Sequence, residues 1–345
     1  MDARHERALE ILREGTFIPA TPLALTDERR FDPEQQKALM RYYLDAGVGG
    51  IATAVHTTQF EIRDPAVNLY ETVLDTVIRE IADYESRSGR TVVRVAGVCG
   101  KTEQAVREAK LSKAMGYDAV LLSPGGLNAL SEDELIERTY AVADVMPVIG
   151  FYLQTAVGGR QLSFDYWKRF CEVDNVAAIK CASFNRYSTI DVVRAAALSS
   201  RSDSIGLYTG NDDNIVVDLI TPYAFTKEDG QKVVRRFTGG LLGHWACWTR
   251  TAVRLYHAIR EAVQNGTVDE KLLTLAAEVT DANAAFFDTA NQFKGCIAGV
   301  HEVLRRSGQM KNILCLNPKE TLSPGQSAEI DRVYRMYPHL HELDG

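Results

Sequence analysis

The chain has 345 residues, 39 Lys+Arg against 46 Asp+Glu for a formal charge of −7, six Cys and 46% apolar residues. That length holds two domains or one large α/β barrel with an appendage, and either buries a sizeable core without disulfide or metal staples. The ordinary charged and aromatic fractions exclude wholesale disorder. The acidic balance argues against nucleic acid as a general partner, which needs a basic surface to displace counterions.

The one local basic group, Lys227, Lys232, Arg235 and Arg236, is flanked by acidic residues and reads as a solvated face. Cys99, Cys171, Cys181, Cys247, Cys296 and Cys315 never fall as C-x-x-C, so neither a disulfide framework nor a zinc ribbon is expected. The start, Met1 to Leu12, is charged and helical rather than a signal peptide, and no apolar run approaches ~18 residues. The expected setting is the cytoplasm, without a membrane partner.

After a helix over residues 1–14, short β-branched apolar runs alternate with longer helical patterns. The predicted strands cover residues 16–23, 50–55, 92–98, 119–122, 148–153, 176–181, 205–208 and 236–242. Helix starts lie between them. Asp32-Pro33-Glu34-Gln35 offers a capping Asp followed by Pro, Ser131 to Glu134 forms a capping box, and Ser163 precedes a third helix. Val176-Ala177-Ala178-Ile179 is apolar on both faces, as in a parallel sheet covered by helices. Eight strand–helix units over residues 15–264 span ~250 residues, the usual size of a (β/α)8 TIM barrel. No Gly-x-Gly-x-x-Gly follows the first strand to support a doubly wound sheet instead. Residues 265–345 read as a helical C-terminal extension. It opens on a capping box over residues 267–270 and continues with helices over residues 292–306 and 327–337.

In such a barrel the carboxyl ends of the strands carry the chemistry. Lys180 ends the apolar sixth strand. Burial disfavours the ammonium form, and a neutral amine is what condensation with a ketone requires. A lysine snorkelling at a strand end is the plain structural alternative. Tyr152 lies 28 residues earlier, one strand–helix step, so its phenol is expected beside that amine as a proton relay. A core aromatic with a satisfied hydroxyl is the alternative there. Thr57 and Thr58 close the second strand and offer two hydroxyls for a carboxylate. Gly210-Asn211-Asp212 and His244 follow the seventh and eighth strands.

Thr21-Pro22-Leu23, His56-Thr57-Thr58-Gln59-Phe60-Glu61, Phe151-Tyr152 and Ile179-Lys180 stand in the order and spacing of one known superfamily. Over residues 15–300 the chain resembles the dihydrodipicolinate synthase/N-acetylneuraminate lyase family of class I, pyruvate-dependent aldolases. The resemblance implies a (β/α)8 barrel with a helical C-terminal extension, assembled as a dimer or tetramer. It implies that Lys180 forms a covalent imine with a small α-keto acid, without a separate cofactor or metal. Tyr152 and Thr57 would then relay protons, and Thr58 would bind the carboxylate. His56, Gly210, Asn211, Asp212 and His244 are the further candidates for substrate binding.

The departures from the family pattern are specific. His56 replaces the first Gly of the strand-2 motif, and Gln59-Phe60 stands where the motif continues Gly-Glu. Ser123-Pro124-Gly125-Gly126 occupies the place of the Tyr-Tyr pair of the synthases. Val157 stands five residues past Tyr152, where they carry an Arg, with Arg160 nearby. Synthesis of dihydrodipicolinate is therefore not expected. Aldol cleavage or addition, or dehydration, of a hydroxylated 2-keto acid is the leading expectation. A keto-acid-binding barrel without turnover and a metal-assisted aldolase are the alternatives, although the seven His do not cluster in sequence.

Overall fold

Strand-forming runs alternate with capped helices along residues 3–344, the part of the chain that the computed structural model describes. The strands are β1 (Phe17–Pro19), β2 (Gly50–Thr53), β3 (Val93–Val98), β4 (Ala119–Leu122), β5 (Val148–Leu153), β6 (Val176–Ala182), β7 (Gly206–Thr209), β8 (Tyr223–Thr226), β9 (Lys232–Arg235) and β10 (Gly239–Leu242). The first helices are α1 (Ala3–Glu14), α2 (Pro33–Ala46), α3 (Tyr70–Ser88), α4 (Thr102–Met115), α5 (Glu132–Ala143) and α6 (Phe164–Cys171). They continue with α7 (Arg186–Leu198), α8 (Ile215–Ile220), α9 (Thr249–Gln264), α10 (Glu270–Phe286), α11 (Cys296–Arg306) and α12 (Gln326–Met336). Eight parallel strands, each followed by a helix, make this a (β/α)8 barrel with a helical C-terminal part.

Local chemistry explains the element ends. Asp32 accepts the Gln35 N–H ahead of Pro33, and α2 stops at Gly47 with φ 92°. Ser131 and Glu134 cap each other at α5, and Ser163 accepts the Tyr166 N–H at α6. The C-terminal helices depart from expectation by a few residues. Asp269, rather than Thr267, caps α10 by accepting the Lys271 N–H. The next helix begins only at Cys296, because Gln292 and Phe293 hold positive φ of 57° and 64°.

The described residues fall into two compact units. The first joins the segment ending at Thr16 to Val93–Asn211 and Val217–Leu241, and the second comprises Phe17–Val92, Asp212–Val216 and the chain from Leu242 onward. In the first unit six strands run in parallel in the order β3-β4-β5-β6-β7-β10. Helix α1 packs beneath them, where the Tyr208 hydroxyl donates to the Leu12 carbonyl at 2.7 Å. In the second unit, Ala20 just past β1 bridges Ala52 of β2 in parallel, and its N–H reaches the Leu242 carbonyl at 3.0 Å.

The antiparallel pair β8–β9 was not predicted. Its residues alternate between exposed and half-buried, the pattern of a surface hairpin, and β10 is correspondingly shorter than the run from Arg236. The basic group in this region is not wholly a solvated face. Arg235 donates to the Ile205 carbonyl at 2.5 Å and Arg236 to the Ile220 carbonyl at 2.6 Å, so both guanidiniums satisfy main-chain oxygens. Among the described residues no helix is long and apolar enough to cross a membrane. Nor do any three His, Cys, Asp or Glu side chains among them converge as a metal site requires.

Candidate active site

Lys180 lies near the carboxyl end of β6 and is 7% exposed. Its Nζ sits 4.3 Å from the centroid of the Phe151 ring. Gly210 makes room for its stem: a Cβ there would fall 2.7 Å from Lys180 Cε and 2.8 Å from Ala182 Cβ. Glycine is thus required here by the close approach of the Lys180 stem.

Tyr152 does not stand beside that amine, and the reason is a bulge. Val148 pairs with Val176 at the start of β5–β6, but Ile149 already pairs with Ala178, so Ala177 is extra. From there Phe151 is in register with Lys180, and Tyr152 with Cys181. A one-residue slip exchanges the two faces of a strand. Tyr152 consequently faces helix α6, its ring 5.5 Å from that of Trp167 and its hydroxyl accepting the Leu162 N–H at 3.3 Å. Gly150 shares that face, where a Cβ would meet Phe170 at 2.6 Å.

Asn211, expected at the substrate, is fully buried and built into a polar network. Its Oδ1 accepts the Phe184 N–H at 3.0 Å, and its Nδ2 donates to Asp218 at 2.9 Å and to Thr189 at 3.3 Å. The buried Asp218 carboxylate also accepts from Thr209 at 2.7 Å and from Arg186. Arg160 is likewise occupied, with bonds to the Leu127 and Leu130 carbonyls.

In the second unit Thr57 and Thr58 lie on a single 3-10 turn after β2, together with His56. Both hydroxyls donate to the Thr21 carbonyl, Thr58 at 2.6 Å and Thr57 at a looser 3.3 Å. Thr58 also accepts the Val55 N–H, so it locks the turn, whereas Thr57 keeps a hydroxyl that can be redirected. The His56 ring is 5.9 Å from the Phe60 ring.

His244 follows β10 and is buried against Phe286 and Trp248. Its N–H donates to Asp212 Oδ1 at 3.0 Å, and its Nδ1 meets Asn283 Oδ1 at 2.6 Å. Asn283 spends its Nδ2 on the Asp212 carbonyl, so its oxygen accepts and Nδ1 carries the imidazole proton. Burial pulls the imidazole pKa down to about 4, leaving a neutral ring at pH 7 with Nε2 as acceptor. Asn283, on α10, and Phe151 are the members that sequence reasoning missed. A strand-to-strand count across an undetected bulge hides the second, and no local signal marks the first.

The model of the Dihydrodipicolinate synthetase family matches residues 15–222. A 4-hydroxy-tetrahydrodipicolinate synthase of Clostridium novyi is 30% identical over 116 residues, covering 33% of this chain and 38% of that protein. An uncharacterized DapA-like lyase of Rhizobium meliloti is 23% identical over 197 residues, 57% of this chain and 61% of its own length. The chain therefore spans less than two thirds of the curated relatives it matches. The solved dihydrodipicolinate synthase of Oceanobacillus iheyensis superposes with TM-score 0.73 at 17% identity, over 97% of this chain and 99% of that one. YagE of E. coli K12, a member of the dihydrodipicolinic acid synthase family solved in complex with pyruvate, gives TM-score 0.72 at 16% identity, over 94% and 98%.

Proposed function

Since the chain belongs to the dihydrodipicolinate synthetase family, we propose that it is a Schiff-base-forming lyase in which Lys180 condenses with a small α-keto acid. Class I aldolases of this family use a covalent lysine imine and need no external cofactor. The observation that carries the reading is Lys180 itself: an amine at the carboxyl end of an interior strand, over Phe151 and seated against Gly210.

In this reading the neutral amine attacks the keto carbon, and the carbinolamine loses water to leave an iminium. Cleavage of the neighbouring carbon–carbon bond delivers its electron pair into the iminium as an enamine, while the substrate hydroxyl loses its proton and becomes a carbonyl. Protonation of the enamine and hydrolysis release pyruvate and regenerate Lys180. Dehydration of a 2-keto-3-deoxy acid uses the same first intermediate. Thr57 and Thr58 serve the keto acid's carboxylate, and His56, Asp212 and the neutral His244 serve the remainder of the substrate. Tyr152, by its place against Trp167, holds the Leu162 segment and is not given the relay. Val157 and the engaged Arg160 leave dihydrodipicolinate synthesis without its carboxylate grip. Assembly as a dimer or tetramer belongs to the same reading.

The turn of Tyr152 away from Lys180 favours one second reading, a barrel that captures keto acids with little turnover. Both are tested by intact-mass analysis after incubation with pyruvate and sodium borohydride. A single reduced adduct is expected on the parent protein and none on Lys180→Ala. Absence of the adduct on the parent removes both readings. An adduct without consumption of any hydroxylated 2-keto acid in a panel selects the second.

A further inference from the structure

The side chains that share the inner face with Lys180 can be followed strand by strand within the first unit. Phe151 is in register with Lys180, and Gly150, one residue earlier, faces helix α6. Leu122 is in register with Gly150 and so takes the helix side, which returns Ser123 to the inner face beside Phe151. Strand geometry continues that far, because the Ser123 N–H still donates to the Val98 carbonyl at 2.9 Å. On the other side of Lys180 the row continues with Tyr208, whose hydroxyl is spent on the Leu12 carbonyl. Ser123 therefore carries the hydroxyl of this row that the scaffold does not use up.

Its surroundings fix the oxygen and leave the proton. Ser123 is 3% exposed, its carbonyl accepts from the buried Arg138 guanidinium at 2.9 Å, and its Oγ accepts the Gly125 N–H at 3.1 Å. Gly125 comes so close that a Cβ there would lie 3.2 Å from that oxygen. Among the described residues no group accepts the Ser123 O–H. A hydroxyl anchored by a backbone N–H, with its own proton unspent, is a preorganised hydrogen-bond donor. Lys180 stands two strands away, about 10 Å by ordinary strand spacing, and its Nζ lies 4.3 Å from the ring centroid of Phe151, the residue between them. With Tyr152 turned towards α6 and Gly125-Gly126 following β4, the row offers no phenol in place of this hydroxyl.

We propose that Ser123 is a catalytic residue of imine formation, its Oγ–H donating to the keto oxygen of the bound α-keto acid as Lys180 attacks. The assignment rests on the lyase reading above. As the Nζ–C bond forms, the carbonyl π pair moves onto oxygen, and the hydrogen bond from Ser123 strengthens with the charge that develops there. Ser123 keeps its proton, and a proton of the attacking amine passes to the oxygen to complete the carbinolamine.

The test is the rate of imine formation. Protein is mixed with saturating pyruvate, quenched with borohydride at timed intervals and read by intact mass, alongside the half-saturating pyruvate concentration and thermal melting. The parent is compared with Ser123→Ala, Ser123→Thr and Ser123→Cys. Ala removes the donor and Thr keeps it, while Cys fills the place with a weak donor and serves if the Ala variant does not fold. We expect the rate at saturation to fall at least tenfold in Ser123→Ala and at least fivefold in Ser123→Cys, with half-saturation within threefold of the parent. Ser123→Thr should return the rate to within threefold. A Ser123 that only ties the Gly125 turn would lower the melting temperature and leave the rate unchanged. A rate within twofold of the parent in the folded Ala or Cys variant, or a loss in Ser123→Thr equal to that in Ser123→Ala, overturns the assignment. No adduct on the parent instead overturns the lyase reading on which it rests.

Discussion

Two buried polar clusters in this molecule are built on opposite principles. Around Asp218, the groups of Thr209, Asn211, Thr189 and Arg186 close on one another, and each Asn211 atom capable of bonding is engaged. Around Thr21, two hydroxyls crowd one carbonyl while the Thr21 hydroxyl and Gln59 Nε2 go unmet. A closed network stabilises and specifies a fold, because each member would be costly to leave unpaired. An open one is tolerated where a ligand completes it. The difference separates residues that look alike in sequence: Asn211 and Gln59 are both carboxamides beside strand ends, and one is scaffold while the other is left with a donor to offer.

This contrast can be broken most sharply at Asp218. Asp218→Ala strips the acceptor from four donors, on Thr209, Asn211, Arg186 and Tyr223, and by analogy with other broken buried pairs it should cost about 4 kcal/mol, read as a drop in the urea midpoint. A loss below about 1 kcal/mol would mean that the network is not closed after all.

A somewhat smaller effect is expected from pH. Burial lowers the His244 pKa to about 4 in the folded chain, below its unfolded value near 6.5. The unfolded state therefore takes up the proton first. The stabilisation is fully present above about pH 6.5 and is lost as pH falls towards 4, by roughly 3 kcal/mol for a shift of that size. Urea melts at pH 7 and pH 4.5, repeated on His244→Gln, isolate this contribution, and an equal pH loss in the variant would assign it elsewhere.

Gly210→Ala sharpens the comparison from the side of the amine. Its Cβ would lie 2.7 Å from Lys180 Cε, so the side chain must shift. Trapping of pyruvate should slow about tenfold with a stability loss of about 2 kcal/mol, within the usual range for overpacking. An unchanged trapping rate would show that the Lys180 stem is not held there. The smallest effect is predicted for Tyr152→Phe, which removes only the acceptor for the Leu162 N–H: about 1 kcal/mol, with trapping within twofold of the parent. A hundredfold loss of trapping would instead assign the phenol a part in the chemistry at Lys180.

Much of this was legible in advance. The eight strand–helix units, the caps at Asp32, Ser131 and Ser163, and the placing of Lys180 at a strand end all follow from period and local hydrogen bonding, which short stretches of sequence encode. The surface hairpin β8–β9 escaped because its strands are short and only half-buried, and their residues read as a charged connection. The role of Tyr152 escaped for a different reason. The count of 28 residues matches the pairing of Val148 with Val176, and a single extra residue, Ala177, then reverses the face.

The sequence by itself determined the succession of elements, the barrel class and the lysine, because apolar periodicity and capping act over a few residues. Only the tertiary structure decided which aromatic faces that lysine, which carboxamide is closed and which carries an orphaned donor, and which nitrogen of His244 holds its proton. Those outcomes hang on strand register and on bonds between distant segments, such as Asn283 to His244 across 39 residues and Gln59 to Leu316 across 257, for which no local pattern exists.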